Sequence, residues 1–401
     1  MSADDQLTVL LALKDRVPFT FRWMRYADNV RFPFKVYIAD GGSDDRVAAA
    51  LSDRTAYPHV YYEYVRYPPD KVYCRDFWIK TADALTRIHT PFVALAANDD
   101  LFVVNGLTDA VRFLATHPDY ATCGGQCAVF WVTGATDGEE GPCFGTHVRW
   151  KHSVDARSLD QDTARERLRR LPLRTLHSGY YHVRRTEDFR RQVDVALELG
   201  LRDVFLDERL LLFLGAIAGK MQELPTLYFA RQWNAPESAG GDHQARYGDW
   251  FGRMLLPSWS QDFSNFVRAT SAALAARDGI PIDEARQSIV ELYRLWMAPQ
   301  LVGDILTEPT VSARMSVVIA AAQWLLNRPT DSLIRRAARR LYRRTPWISV
   351  DALHGTQLRT RRVAHADEAF RPIREFLASG PDTEVQELIG EFSRPLDSVR
   401  E

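Results

Sequence analysis

Residues 92–100 read FVALAANDD, six apolar residues that end in one amide and two acids. They follow a stretch, residues 76–88, in which apolar side chains recur at helical spacing. A helix followed by a short buried strand is typical of a parallel α/β sheet. Because open α/β sheets bind ligands at the carboxyl ends of their strands, Asn98, Asp99 and Asp100 are the first candidates for a functional site.

Earlier in the chain, apolar runs predict three more strands, at residues 7–13, 34–39 and 59–65. The second leads directly into DGGSDD at residues 40–45. Asp40 therefore also lies at a strand end, where the two following glycines let the backbone turn sharply and approach a ligand. Asp40 suits hydrogen bonds from a base or a ribose. The alternative is a capped βα turn in which Ser43 or Asp44 begins the next helix.

Later residues predict a more irregular mixture, followed by helices only. Strands are expected at residues 127–132, 180–183 and 224–229, helices at 160–170 and 209–220, and a mobile loop at 238–243. Beyond residue 255 helical patterns dominate, including residues 289–297, 316–326 and 331–344. We therefore predict two domains, an α/β domain at 1–254 and a mainly helical domain at 255–401.

The composition excludes several classes of protein. The 52 acidic residues balance 51 Lys and Arg, so no overall charge attracts nucleic acid. Four cysteines at irregular spacing and the absence of any Asn-x-Ser/Thr sequon favour a reducing compartment. The N-terminus lacks the pattern of a secretory signal, and the longest apolar runs are too short to span a bilayer. We expect a cytoplasmic protein.

The acidic cluster at residues 98–100 suits nucleotide-sugar chemistry. The diphosphate of such a donor carries charge that must be neutralised when it leaves, and a Mg²⁺ or Mn²⁺ ion on carboxylates is a common solution. Asp99 and Asp100 provide short oxygen ligands at a strand end. An Asx turn or a helix N-cap is the alternative use of the same residues.

The order of strand, Asp-Gly-Gly-Ser-Asp-Asp, helix, strand and Asn-Asp-Asp resembles the family 2 and related GT-A glycosyltransferases, and is most similar to a bacterial subgroup with Asn-Asp-Asp at that site. Their first strand leads into an Asn-Arg-like pair, echoed by Asp15-Arg16. Their metal motif is Asp-x-Asp, so Asn98 is a departure that lowers the local charge. Asp100 is then the preferred metal ligand, with Asn98 and Asp99 on the ribose side. The resemblance implies a Rossmann-like mixed sheet of GT-A type.

The resemblance also implies roles for residues nearer the end of the α/β domain. A carboxylate that takes the acceptor proton is expected from Asp207-Glu208, with Asp207 preferred; a charged first helical turn is the alternative. His243 lies where such enzymes close over the diphosphate and would complete the metal site; a solvent-exposed loop residue is the alternative. Arg231 is a similar candidate for the diphosphate. Transfer is expected to be inverting, with a retaining mechanism as the alternative.

Weaker candidates surround these positions. Lys14, in the first loop, and Arg75, before the residue 77 helix, are assigned to the base or phosphates. Trp233 or Trp250 could stack on an acceptor sugar, although core packing is the commoner use of Trp. The helix at 333–344 has an Arg-rich face opposite an apolar one. It suits docking at the inner face of the cell membrane, or a solvated or oligomer-facing surface.

The sequence thus predicts a metal-assisted glycosyltransferase that uses a nucleotide-sugar donor and a saccharide or lipid-linked saccharide acceptor. Synthesis of bacterial surface polysaccharide or glycoconjugate is the setting that the resemblance implies. Two other functions stay open. A nucleotidyltransferase shares the sheet and the carboxylate-bound metal, but the first loop lacks the usual glycines. A non-catalytic nucleotide-sugar-binding or scaffold protein is compatible with Asn98 and with the helical tail.

Overall fold

The computed structural model describes residues 4–134, 143–152, 158–171, 179–236, 239–307 and 366–380. The strands are β1 (Leu7–Leu13), β2 (Lys35–Asp40), β3 (Tyr62–Arg66), β4 (Phe92–Ala96), β5 (Leu101–Phe102), β6 (Tyr120–Thr133), β7 (His147–His152), β8 (Val183–Arg185) and β9 (Lys220–Gln232). The helices are α1 (Val17–Asn29), α2 (Asp45–Ser52), α3 (Tyr73–Arg87), α4 (Val104–Thr116), α5 (Ala164–Arg170), α6 (Thr186–Leu199), α7 (Val204–Ala218), α8 (Ala239–Tyr247), α9 (Trp250–Met254), α10 (Pro257–Asp278), α11 (Ile282–Thr307) and α12 (Ala366–Ala378). Short 3₁₀ turns cover Asp4–Gln6 and Gly179–Tyr181.

The strands form one nine-stranded mixed sheet in the order β3-β2-β1-β4-β8-β6-β9-β5, with β7 on β6. The first four strands in this order are parallel. Leu13 pairs with Asp40, and Asp40 with Arg66. Because parallel strands end at the same edge, the turns after β1, β2 and β4 lie side by side.

The second half of the sheet mixes directions. β8 joins β4 to β6 through antiparallel pairs, β9 runs parallel to β6, and β5 runs antiparallel to β9. Leu101 pairs with Ala230, so the next pair in this register is Asp100 opposite Arg231. The Asn-Asp-Asp segment is therefore held between β4 and β9.

Helices cover both faces of the sheet. One apolar cluster packs α1, α2, α4 and α12 against the sheet, and the other contains side chains of α3, α6, α7, α10 and α11. α10 contacts α7 and α11, and α12 packs against β7 and β9. The predicted α/β class, a mixed sheet followed by helices, is confirmed.

Several predicted boundaries were wrong. α7 begins at Val204 and not at residue 209, because Asp203 caps it through the N–H groups of Phe205 and Leu206. From residue 239, the expected loop at 238–243 is helix α8. The expected strand at 180–183 is a 3₁₀ turn followed by β8. β6 and β9 are much longer than predicted, because each continues through polar or glycine-containing segments.

The helical patterns beyond residue 255 are confirmed where α10 and α11 describe them. The predicted helices at 316–326 and 333–344 lie outside the described residues. Among the described helices, none has the length and hydrophobicity that a bilayer crossing requires. The domain boundary at 254/255 stays a prediction.

Candidate active site

The turn between β1 and α1 has an unusual backbone. Asp15 and Arg16 both have left-handed conformations, with φ of 53° and 58°. Such conformations are costly for residues other than glycine and collect at functional sites. Asp15 Oδ1 accepts hydrogen bonds from the Ser43 N–H (2.6 Å) and hydroxyl (2.8 Å). The turns after β1 and β2 are therefore fixed to each other.

Asn98 also holds this turn. Its side chain is buried, and Nδ2 donates to Thr20 Oγ1 at 3.1 Å and faces the carbonyl oxygens of Arg16 (3.4 Å) and Asp15 (3.5 Å). A carboxylate has no hydrogen to donate to these carbonyls. The local structure thus explains why the first residue of the motif is an amide. The Asn98 side chain is used in contacts within the protein.

Asp99 is held through its main chain and its carboxylate. Its carbonyl oxygen accepts from Arg22 Nη2 at 2.7 Å, and its Oδ2 lies 3.3 Å from Arg16 Nη1. Arg22 is 1% exposed and also donates to the Cys143 carbonyl and the Gln232 side chain. Arg22 thus positions the acidic segment relative to β9.

The Arg16 guanidinium has hydrogen-bond donors that no described residue accepts. Its guanidinium lies 4.5 Å from the centre of the Phe19 ring. Nε and Nη2 are buried and have no hydrogen-bond partner among the described residues. Since a buried donor without an acceptor is costly, these two groups suit an anionic ligand beside Asp99.

Asp100 and Arg231 form the centre of the site. Asp100 is 3% exposed and its Oδ1 accepts from the Gln232 N–H at 3.0 Å. Burial and the neighbouring Asp99 raise the pKa of Asp100, and Arg231 opposes this. Burial lowers the pKa of Arg231. The surrounding Asp100, Tyr181 and Glu208 raise this pKa by more than burial lowers it, so the net shift is upward. The acidic side chains of Asp100 and Glu208 therefore stabilise the positive charge of Arg231.

Asp207 and Glu208 have different surroundings. Asp207 is 4% exposed; Oδ2 accepts from Trp78 Nε1 at 2.7 Å, while Oδ1 is buried without a partner among the described residues. Burial raises the pKa of Asp207 to about 8. Glu208 is partly exposed; burial raises its pKa, and Arg209 and Arg231 oppose this. Glu208, rather than Asp207, faces the Arg231 side.

Asp40 is engaged within the protein. Oδ1 accepts from the Gly42 N–H at 2.8 Å, and Oδ2 accepts from the Tyr64 hydroxyl and Arg66 Nη1, both at 2.6 Å. The carboxylate is 2% exposed. Asp40 therefore joins β2 to β3 in this structure.

A cavity of about 90 Å³ lies beside Asp40, at the ends of β1 and β4. Lys14, Asp70, Phe77, Lys80 and Tyr181 line it, together with residues 12–13, 95–97 and 180. Lys80 pairs with Asp70 and donates to the Leu13 carbonyl at 2.6 Å. Burial lowers the pKa of Lys80, opposed by Asp70. The cavity combines an aromatic ring with a buried ion pair.

Gly41 leaves room for the Asp70–Lys80 ion pair. A Cβ added at position 41 would lie 2.2 Å from Asp70 Oδ1 and 2.8 Å from Lys80 Nζ. Any side chain here would push the ion pair away from the strand end. The glycine predicted to allow close approach to a ligand thus allows close approach of Asp70.

The remaining candidates have surroundings of their own. His243 Nε2 lies 3.2 Å from Asp203 Oδ2, which also faces Arg253 Nε at 3.1 Å. Arg75 is exposed at the start of α3. Within the described residues, no group of three or more His, Cys, Asp or Glu side chains is arranged to hold a metal ion. Trp250 packs between Phe205 and Trp296, whereas Trp233 is 64% exposed.

Sequence reasoning missed Arg22, Asp70 and Lys80. Lys80 carried a signal, since it is one of few lysines and lies among the apolar positions of a predicted helix. Arg22 likewise lies within an apolar helical stretch. Asp70 carried none, because its role depends on a contact between distant segments.

No protein-family model and no curated protein sequence matches this chain. Solved structures of S. aureus TarS are among those that match the chain. Residues 1–349 of TarS match with a TM-score of 0.46 and 12% identity, over 80% of this chain and 78% of that one. The same fragment in complex with UDP-GlcNAc gives 0.45 and 12%, over 87% and 89%. The match to TarS without that truncation covers 98% of this chain and 56% of TarS, at 0.45 and 12%.

Proposed function

We propose that this protein is a glycosyltransferase that moves a sugar from a nucleotide-sugar to an acceptor hydroxyl. One observation carries the proposal: Asp99, Asp100, Arg231 and Glu208 converge at the edge where β4 ends and β9 passes. This edge is where open α/β sheets bind ligands. A cation for a leaving diphosphate and a carboxylate for an acceptor proton are thus adjacent.

The donor base is placed in the cavity beside Asp40. Phe77 offers an aromatic surface, and Lys14, Asp70 and Lys80 offer donors and acceptors for the polar edge of a base. Asp40 is bound to Gly42, Tyr64 and Arg66 and does not line this cavity, so it is given no contact with the base. The ribose and diphosphate then extend toward Asp99 and Arg231.

Arg16 and Arg231 are proposed to bind the diphosphate. Arg16 has two buried donors without partners among the described residues, and the Arg231 guanidinium is held cationic by its acidic neighbours. Asp99 and Asp100 lack a third protein ligand in the described part, so they fit a cation only when diphosphate oxygens complete its shell. A Mn²⁺ or Mg²⁺ ion bound there, on Asp100, would neutralise further leaving-group charge. His243 pairs with Asp203 and is given no role in binding the ion.

Glu208 is proposed as the base. The acceptor oxygen attacks the anomeric carbon as the bond to the diphosphate oxygen breaks, and the acceptor proton passes to the Glu208 carboxylate. Asp207 is less suited, because burial raises its pKa to about 8 and Trp78 occupies one oxygen. Displacement in a single step inverts the anomeric configuration, which product analysis would measure.

A thermal-shift titration tests donor binding. UDP, GDP and CMP are added to the protein with and without Mn²⁺, and one nucleotide should raise the melting temperature by mass action. Asp100→Ala should remove the increment that depends on Mn²⁺. Asp194→Ala, at an exposed site on α6, is the matched control and should behave as wild type.

The outcomes separate the functions. A lack of any shift across the panel overturns the donor proposal. An unchanged Mn²⁺ increment in Asp100→Ala removes that residue from the metal site. A nucleotide shift without turnover of any UDP-, GDP- or CMP-sugar would favour a binding protein.

A further inference from the structure

A solvent-facing surface continues outward from the site across the ends of β6, β7 and β9. It consists of Trp131, Arg149, Lys151 and Trp233, called here the aromatic-basic surface. Trp233 is 64% exposed, Arg149 and Lys151 are exposed, and Trp131 is partly exposed. None of these four side chains belongs to the proposed donor site.

Strand register places the surface on the same face as Arg231. Val129 pairs with Arg231 on one side and with Lys151 on the other. Paired residues of neighbouring strands point to the same face of a sheet. Since Asp100 is opposite Arg231, one row across the sheet runs from Asp100 through Arg231 and Val129 to Lys151.

The next row contains the aromatic residues. Trp131 pairs with Arg149, and the Trp233 N–H donates to the Phe130 carbonyl, which continues the β6–β9 ladder. Lys151 Nζ lies 5.3 Å from the centre of the Trp131 ring, which confirms that the two side chains share a face.

The other face of the same strands is apolar and covered. Phe130 and Trp150 point there, and Phe370 of α12 stacks on Trp150 at 4.7 Å. A half-covered antiparallel pair normally presents mixed polar residues to water. The aromatic-basic surface differs from such a mixed surface, because two indole rings and two cations occupy adjacent positions.

Within the described part of the chain, no carboxylate pairs with the two cations of this surface, Arg149 and Lys151. Arg231, in the same row as Lys151, has Asp100 and Glu208 nearby. Strands lie about 4.8 Å apart, so Lys151 starts roughly 10 Å from Arg231 in the sheet. A ligand of two or three sugar units can span that distance.

We propose that the aromatic-basic surface binds the acceptor, and that the acceptor is an acidic oligosaccharide. This inference rests on the proposed function, because it takes the reacting hydroxyl to lie between Glu208 and Arg231. Indole rings pack against the apolar faces of sugar rings, and Arg149 and Lys151 pair with acidic substituents. The tip of the chain then enters the site while its body lies on β6 and β7.

The test compares two oligosaccharides that differ only in charge. Oligogalacturonide and its fully methyl-esterified form, of equal length, are titrated into the full protein by calorimetry. We expect the acid form to bind at least about fivefold more tightly, from two partly exposed charge pairs. The double variant Arg149→Glu/Lys151→Glu should lose this preference, and Trp233→Ala should weaken both forms alike.

The control is Arg54→Glu/Arg112→Glu, which reverses two exposed charges elsewhere and should keep the preference. Equal binding of the two oligosaccharides to wild type overturns the inference, as does a preference that survives in the double variant. If the double variant does not fold, the salt dependence of wild-type binding decides: an acid form insensitive to salt overturns it. Titration of wild type with UDP, GDP and CMP reports separately, since failure of all three to bind overturns the donor proposal.

Discussion

Asp207 and Glu208 are neighbours in the first turns of α7, yet their carboxylates have different environments. Asp207 points to Trp78 inside the protein, and Glu208 is partly exposed under the influence of Arg231. From the sequence, this pair was predicted to contain the catalytic base, and Asp207 was preferred over Glu208. The choice depends on which side of one helix faces β9, and that rotation is fixed by packing that no local pattern reveals.

Glu208→Gln should lower the transfer rate by about 10²–10⁴, because a general base contributes that factor. Asp207→Asn keeps an acceptor for Trp78 and should retain most activity. Burial raises the pKa of Glu208, so wild-type kcat/KM should fall with decreasing pH at a value above the ordinary 4.5 of glutamate. Rates of sugar transfer across pH measure both effects.

A reversed pattern, with Asp207→Asn inactive and Glu208→Gln active, would restore Asp207 as the base. Melting temperatures of both variants show whether either loss reflects unfolding.

Asn98→Asp should destabilise the protein by roughly 1–3 kcal/mol, the cost of leaving buried groups unsatisfied. The substitution recreates Asp-x-Asp, but it removes the donor to Thr20 and turns a negative charge toward two carbonyl oxygens. Urea denaturation gives the free energy of unfolding. If the Asn98→Asp variant is as stable as wild type and depends more strongly on Mn²⁺, position 98 belongs to the metal site.

At the scale of elements, the short buried strands were predictable and the long ones were not. β1 matched its prediction residue for residue, since a fully buried parallel strand reads as one apolar run. β9 continues through Lys220–Glu223 and Pro225, where the apolar pattern breaks. That extension carries Glu223 to the buried His182 (2.8 Å), a pairing between residues far apart in the chain.

α12 is a second element whose role is set by distant packing. Phe370 is fully buried against Trp150 and Phe130. Phe370→Ala should lower the free energy of unfolding by about 3–5 kcal/mol, as for other large core truncations. Arg371→Ala, exposed on the same helix, is the control and should change it little. Chemical denaturation followed by circular dichroism measures both. Equal stability of the two variants would mean that α12 is not part of the core.

At the scale of the whole molecule, the candidate site lies where the parallel half of the sheet meets the mixed half. The sequence indicated the acidic strand ends in the first half and Arg231 and Glu208 in the second. It could not show that Asp100 and Arg231 become cross-strand neighbours, because that register depends on β8 and β6 being inserted between β4 and β9. Each half supplies one part of the proposed chemistry.

The contact of α12, near the C-terminal end of the described residues, with α1 has a consequence for folding during synthesis. Arg25 Nη1 donates to the Gly380 carbonyl at 3.1 Å, across 355 positions of sequence. A ribosome releases the N-terminal strands long before residues 366–380, so the Phe130 face of β6 stays without its cover during most of synthesis. Contacts of such long range slow folding and leave apolar surface open to aggregation. Nascent chains stalled before residue 366 should therefore need chaperones that full-length chains do not.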